Sequence, residues 1–556
     1  MKKRYLTILF ALLVASVFTA FVLSNESKDF KLQKNLDIFY SLVRELNAFY
    51  VDELKPDELF KESIDEMLND LDPYTKYYPE SERDDFTFMT TGKYGGIGSL
   101  IRQDDDYTVL TQIYKGFPAD KAGLKAGDIL KEIDGESLKG LDPGKVSDRL
   151  KGQSDTEIEL TLERQGKEFR KTLTRKRVAI PPVPYYGMTD NNTGYIRFTN
   201  FTQDCSSDVR NALTDLLESN AEKIILDLRS NPGGLLNEAV EIVNLFIGPG
   251  HEVVSTRGKV EKYDNTYKTT SKAVDEDIPL AVLINSNTAS ASEIVAGAIQ
   301  DYDRGVVVGL RSYGKGLVQI SRPLSYNGTL KVTTAKYYIP SGRCIQALDF
   351  AHRNEDGSVG HIPDSLISEF TTENGRIVED GGGISPDYKV ETTKLSQLST
   401  QLYIRSVIFD FATEFFWNNP EIAKPGSFEI NDKIYGDFIA FVKEQDFSYE
   451  SATQNELERL KTIAKREKYY EKNSELFNEL TLALNNDLEN DLELFRDQIS
   501  RLLEDEIVGR YFYEEGVIKH TLDADKQLQR AINIVNDTNV YASTLKGTAG
   551  LLTLKN

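Results

Sequence analysis

At 556 residues the chain is longer than one hydrophobic core usually serves, so three or four structural units are expected. With 66 basic against 88 acidic side chains the net charge is −22, which argues against nucleic acid or anionic lipid as the main partner, because both need a basic surface. The two cysteines, Cys205 and Cys344, lie in no paired metal-ligand spacing, and the four histidines, His251, His352, His361 and His520, sit in no stretch that otherwise reads as catalytic.

Lys2, Lys3 and Arg4 precede an uncharged apolar run from Leu6 to Leu23, followed by polar Ser24-Asn25-Glu26, the order of an export signal. The run is longer than the core of about 7–15 residues in a cleaved signal and reaches the roughly 17–25 needed to span a bilayer. Residues 1–24 are therefore expected to direct export to the periplasm or cell envelope, either as a cleaved peptide or as an anchor retained through residues 6–23. No cysteine follows the run, so a lipid-modified cysteine is not expected there.

From residue 29 to 90, Leu32, Leu36, Phe39, Val43 and Leu46 recur at helical spacing, and Asp72-Pro73 stops a second helix, which predicts a small helical unit. Residues 91–178 are rich in glycine and alternating apolar positions. In "YGGIGSLI" the glycines Gly95, Gly96 and Gly98 flank Ile97 before a strand, and "PADKAGLKAGDILKEIDGESL" reads as a short helix, a turn and a strand. Together these pieces resemble a PDZ domain. The resemblance implies that a peptide adds as a strand beside the one after the glycine loop, with its terminal carboxylate on the backbone N–H groups of Gly95, Gly96, Ile97 and Gly98.

Pro181-Pro182-Val183-Pro184 predicts a stiff linker. Residues 185–392 then alternate strands and helices. "TGYIRFTNF" is a strand, Ser206 to Leu217 a helix, "KIILDLRSNPGGLLNEAVEIVNLF" a buried strand, a glycine turn and a helix, and "PLAVLINS" another buried strand. This pattern predicts an α/β unit with both sheet faces covered. The last strand runs into "SNTASASEIVAGA", whose serines raise the question of a nucleophile. A serine is too weak alone and needs a base, which a lysine can supply. Lys315, between Gly314 and Gly316 in "YGKGLVQ", is the candidate. A free lysine titrates near 10.4, so a base working near neutrality requires an apolar, dehydrated setting.

"TASASEIVAGAIQD", "YGKGLVQ", "LDLRSNPGG" and the PDZ-like segment, in that context, resemble the carboxy-terminal processing peptidases, or tail-specific proteases, of serine peptidase type S41, over about Phe30 to Val390. The Gly-Ile-x-Pro-Asp ending resembles chains of Bacteroidetes type. The resemblance implies an α/β multidomain fold with a crotonase/ClpP-like peptidase core. It further implies Ser290 as nucleophile, Lys315 as base and Gln319 as the residue orienting the lysine. Its oxyanion hole would use the N–H of Ala291 and that of Gly233 or Gly234, between which the sequence does not choose. No metal or organic cofactor is implied. His352 and His361 lie near one another, but without a third ligand a solvated loop is expected.

The tail, residues 393–556, is expected to be helical. Leu476, Leu480, Leu484, Leu488, Leu492, Phe495, Ile499 and Leu502 predict one long amphipathic helix that packs in a core or, alternatively, forms a homo-oligomer seam. Asn418-Asn419-Pro420 ends an earlier helix after Trp417. The expected activity is that of an exported serine endopeptidase acting on proteins or peptides with free apolar C-termini. Two rivals stand beside it: a non-catalytic PDZ-bearing envelope adaptor or chaperone, and an acyl-thioester enzyme on the same core.

Overall fold

A computed structural model describes residues 28–484 and 487–548. The export segment, residues 1–24, lies outside the described residues, and among those described no helix is long and apolar enough to cross a membrane. The chain divides into two compact units, residues 1–77 and 78–556. In the first, Lys28–Phe49 and Pro56–Asn69 are helices, the second opened by Pro56 and ended ahead of Asp72-Pro73. A further helix, Arg83–Thr91, lies in the second unit, although its residues fall within the helical stretch 29–90 expected from the sequence, and it ends on Gly92 at φ 66°.

In the second unit the PDZ-like segment forms a sheet in which Ser99–Asp104 is an edge strand, paired on one side with Tyr107–Ile113. The helix Pro143–Leu150 buries Val146 and Leu150 in the core below it. Its N-cap, Asp142, accepts from the N–H of Gly144.

The α/β core is built on a six-stranded sheet in the order Tyr185–Thr189, Thr193–Arg197, Lys223–Asp227, Leu280–Ile284, Val306–Gly309, Tyr388–Lys389. The first pair is antiparallel and the rest are parallel. The strands are apolar on both faces, as a parallel sheet covered on both sides requires. Ile224, Leu226, Leu280, Val282, Ile284 and Val307 face a core shared with the helices Cys205–Glu218, Leu236–Val243 and Ala291–Asp301. The alternate residues, Ile225, Ala281, Leu283, Val306 and Val308, face the other way, against Leu528, Ala531, Ile532, Ile534 and Val535. That second cover is the helix Lys526–Asn536, from the far end of the chain.

The expected long helix of the tail is broken. Ser474–Ala483, Leu488–Leu494 and Arg496–Thr521 are separate helices. Asp487 starts the second of these, accepting from the N–H groups of Glu489 and Asn490. The apolar stripe divides accordingly: Leu492 and Ile499 are buried, whereas Leu476, Leu480 and Leu484 are exposed. Val407–Asn418 ends after Trp417 because Asn419, preceding Pro420, is held in extended backbone.

Candidate active site

The strand Leu280–Ile284 delivers the chain to Ser290, which caps the buried helix Ala291–Asp301. Ser290 is held at φ 59°, ψ −117°. A side chain other than glycine pays roughly 1–3 kcal/mol to sit there, and such strain collects at functional positions. The turn lifts the serine out of the core: Ala289, Ala291 and Ser292 are buried, while Ser290 is half-exposed to a cavity of about 430 Å³. Ser290, Ala291, Lys315, Gln319, Gly233 and Gly234 all line this cavity. Gly95, Gly96, Ile97 and Gly98 lie elsewhere: Gly95 and Gly96, expected in a loop, end the strand Lys93–Gly96, which pairs with Lys176–Ala179 in a two-stranded sheet of its own, and Ile97 is buried in the PDZ-like core.

Ser292 is no rival nucleophile, because its buried hydroxyl donates to the carbonyl of Asn231 at 3.0 Å. Thr288 is likewise committed, donating to the carbonyl of Leu228. Ser290 and Lys315 are joined through a residue that the sequence reading passed over. Glu293, fully buried, accepts from Ser290 N (2.7 Å) and Lys315 N (2.9 Å) on Oε2, and from Gly314 N (2.7 Å) and Ser312 Oγ (2.5 Å) on Oε1. One carboxylate thereby sets the Ser290 loop beside the Lys315 loop. Burial pushes the Glu293 carboxyl above the usual range, and the four donors pull against that. The S-x-x-E capping-box spacing from Ser290 was the available signal.

Lys315 is half-buried, and the cavity around it carries Phe86, Ile294, Leu317, Val318 and Tyr337. Gln319 lies on the strand Leu317–Pro323 and donates its amide N–H to Thr333 Oγ1 at 3.2 Å. Tyr337, fully buried, donates to the carbonyl of Ser290 at 3.1 Å.

The glycine turn closes the cavity opposite the serine. Gly233 has φ 93°, and a Cβ added there would come within 2.8 Å of both Ser290 Cβ and Ala291 N. Its own N–H is taken by Asn231 Oδ1 at 2.9 Å. Gly234 differs. Phe201 donates to the carbonyl of Gly233 and accepts from Leu235 N, so the N–H of the intervening Gly234 points away from Phe201. Among the described residues neither Gly234 N nor Ala291 N has a protein acceptor. The turn is anchored upstream by Asp227, which burial alone would neutralise. Arg229 and Arg197 outweigh that and hold its carboxyl at about 2. His352, exposed, only bonds Asp349, and among the described residues no group of three or more His, Cys, Asp or Glu could hold a metal ion.

A hydroxyl and an amine in one cavity, with backbone N–H groups free across from them, constitute the chemistry of acyl transfer by a serine peptidase. Comparison with known proteins gives the same class of enzyme: residues 192–352 match peptidase family S41, residues 109–164 a PDZ domain, and residues 398–535 the C-terminal helical domain of a probable PDZ-protease. A carboxy-terminal-processing protease of Bartonella bacilliformis is 35% identical over 323 residues, covering 57% of this chain and 73% of that protein. A probable CtpA-like serine protease of Staphylococcus aureus is 34% identical over 318 residues, covering 56% of this chain and 63% of that protein. The solved photosystem II D1 C-terminal processing protease shares 26% identity over 63% of this chain and 86% of its own, with a TM-score of 0.35. The chain belongs to peptidase family S41 and is a serine peptidase carrying a PDZ domain, which displaces the adaptor reading.

Proposed function

We propose that the chain is an exported endopeptidase that captures apolar C-terminal tails and cleaves them with Ser290 as nucleophile and Lys315 as base. The observation that carries the assignment is the shared Glu293 carboxylate, which holds the main chains of Ser290 and Lys315 side by side at the cavity wall. Lys315 takes the Ser290 hydroxyl proton as Oγ attacks the peptide carbonyl, then returns it to the leaving amine. Water hydrolyses the acyl-enzyme with Lys315 again as base. Gln319 offers its amide oxygen to orient the lysine, its nitrogen being committed to Thr333. The oxyanion donors are Ala291 N–H and Gly234 N–H, since Gly233 N–H is already occupied. Such donors contribute about 3–4 kcal/mol each to acyl transfer.

The tail binds along the edge strand Ser99–Asp104, its carboxylate on the backbone from Gly95 to Gly98, where the strand Lys93–Gly96 ends and the chain turns at Gly98. Gly98 supports this role at φ 81°, where an added Cβ would lie 2.4 Å from Phe117 Cβ. Export, anchoring through residues 6–23 and self-association are finer parts of the same reading. The test uses the chain from Asn25 onward and an unstructured peptide with a free apolar C-terminus. Cleavage by the parent should be lost in Ser290→Ala and in Lys315→Ala, by more than about 10³-fold. An undiminished rate in Lys315→Ala would refute the base assignment.

A further inference from the structure

The guanidinium of Arg229 is held from two sides. Within its own strand-to-turn segment, Nε and Nη2 bind Asp227, at 3.0 and 2.6 Å. From the far end of the chain, Asp525 Oδ2 meets Nη2 at 2.6 Å and Gln527 Oε1 accepts from Nη1 at 3.0 Å. Gln527 is itself buried and tied by its amide nitrogen to the carbonyl of Val390. Asp227 is shared between two guanidiniums, Arg229 and Arg197 (2.9 Å), and a buried charge is costly unless paired. Glu514 also acts on Arg197, and Asp525 is the second carboxylate on Arg229.

Arg229 opens the turn that ends in Gly233 and Gly234. Its own N–H donates to Asp227 Oδ1, and Ser230, at φ 56°, donates from its backbone to Asn285 Oδ1. Asn231 then receives Ala289 N and Ser292 Oγ on its carbonyl and holds Gly233 N on its side chain. A displacement of Arg229 therefore reaches both the serine loop and the glycine turn.

We propose that Asp525 and Gln527, at the start of the helix Lys526–Asn536, are positioning residues for peptide hydrolysis: they clamp Arg229 and thereby fix the turn that presents Gly234 N–H to the oxyanion. The helical tail thus completes the peptidase core instead of merely following it. This rests on the reading of Gly234 as an oxyanion donor.

Asp525→Asn separates positioning from folding. Asp525 Oδ1 also caps the helix, accepting from Gln527 N and Leu528 N, and asparagine caps as well as aspartate while losing the charge toward Arg229. Gln527→Leu, of similar size, is the second variant. Both are assayed in the chain from Asn25 onward, with the unstructured peptide and with a small fluorophosphonate that phosphonylates serine and also needs an oxyanion hole. Each variant should lower kcat about 10- to 100-fold with KM within about twofold, and slow phosphonylation by a similar factor. The unfolding midpoint should stay within a few degrees. Parental kcat in either folded variant, with an active parent, would overturn the proposal alone, as would a kcat loss that only tracks a falling midpoint in both. A parent that neither cleaves nor labels would overturn the site reading and this proposal with it.

Discussion

Glu293 is a single carboxylate on which both the Ser290 loop and the Lys315 loop depend. Glutamine at this position would keep the size but put an amide NH₂ where one oxygen now accepts from both Ser290 N and Lys315 N. Leaving such buried donors unsatisfied costs about 1–3 kcal/mol each. Glu293→Gln is therefore expected to lower stability by about 3 kcal/mol and kcat by about 100-fold, since a displacement near 1 Å is enough for that loss. Denaturant unfolding and steady-state kinetics on the same preparation check both numbers, and a variant with parental kcat would sink the argument. The same scale explains why the turn uses glycine twice. A Cβ on Gly233 would press on Ser290, and one on Gly234 would lie 2.2 Å from the carbonyl oxygen of Phe201.

Among the elements, the helix Arg496–Thr521 is interrupted by one non-helical residue. Tyr513 sits at φ 58°, ψ −165° inside it, and its hydroxyl donates to Asp120 of the PDZ domain at 2.6 Å. Strain of this kind persists only where the surroundings over-determine it, and here the PDZ contact is one such constraint. Two turns earlier, Asp505 lines a cavity of about 150 Å³ shared with Gln112, Lys125 and Phe416. Burial, opposed by His520 and helped by Glu504 and Glu506, pushes its carboxyl up to about 6. A folded-state value above the unfolded one near 3.9 means that the folded chain keeps this proton longer. The proton-linked stability is present below about pH 4 and is lost as pH rises to about 6. Asp505→Asn should therefore flatten the fall in stability between pH 4 and 6 and stabilise the protein at pH 7 by up to about 2–3 kcal/mol. Thermal unfolding across that range measures it; identical slopes for parent and variant would count against the burial argument.

At the scale of the molecule, the peptidase sheet owes one of its faces to the C-terminus. Ile225, Leu283 and Val308 are fully buried against Leu528, Ile532 and Val535. Deleting residues after 395 would expose that face, at about 25 cal/mol for each Å² returned to water, and would also strip Asp525 from Arg229. The truncated chain is expected to be insoluble or unfolded, as judged by soluble yield and circular dichroism. A soluble, folded and active truncation would show the core to be independent of its tail. Self-association is tested by substitutions at the exposed Leu476 and Leu480, read by molecular mass.

Much of this protein was legible locally. Short apolar runs bounded by turn signals, such as "PLAVLINS", read as buried strands, and Gly98 and the glycines of "NPGG" mark positive-φ positions where a Cβ does not fit, because period and backbone sterics are properties of neighbouring residues. The order of the serine and lysine motifs identified the peptidase family by the same local means. What the sequence could not disclose depends on contacts between distant positions. Glu293 could be read as a helix cap but not as the link to Lys315. Gly233 and Gly234 look alike until Asn231 occupies one N–H. The amphipathic stripe from Leu476 to Leu502 predicts a helix but not the break at Asp487. By itself the sequence determined most of the elements, their order and the residue types available for chemistry. Only the tertiary structure decided that a helix about 300 residues downstream covers the catalytic sheet and that Asp525 holds Arg229, because a charge finds its partner through space, and no periodicity along the chain records that distance.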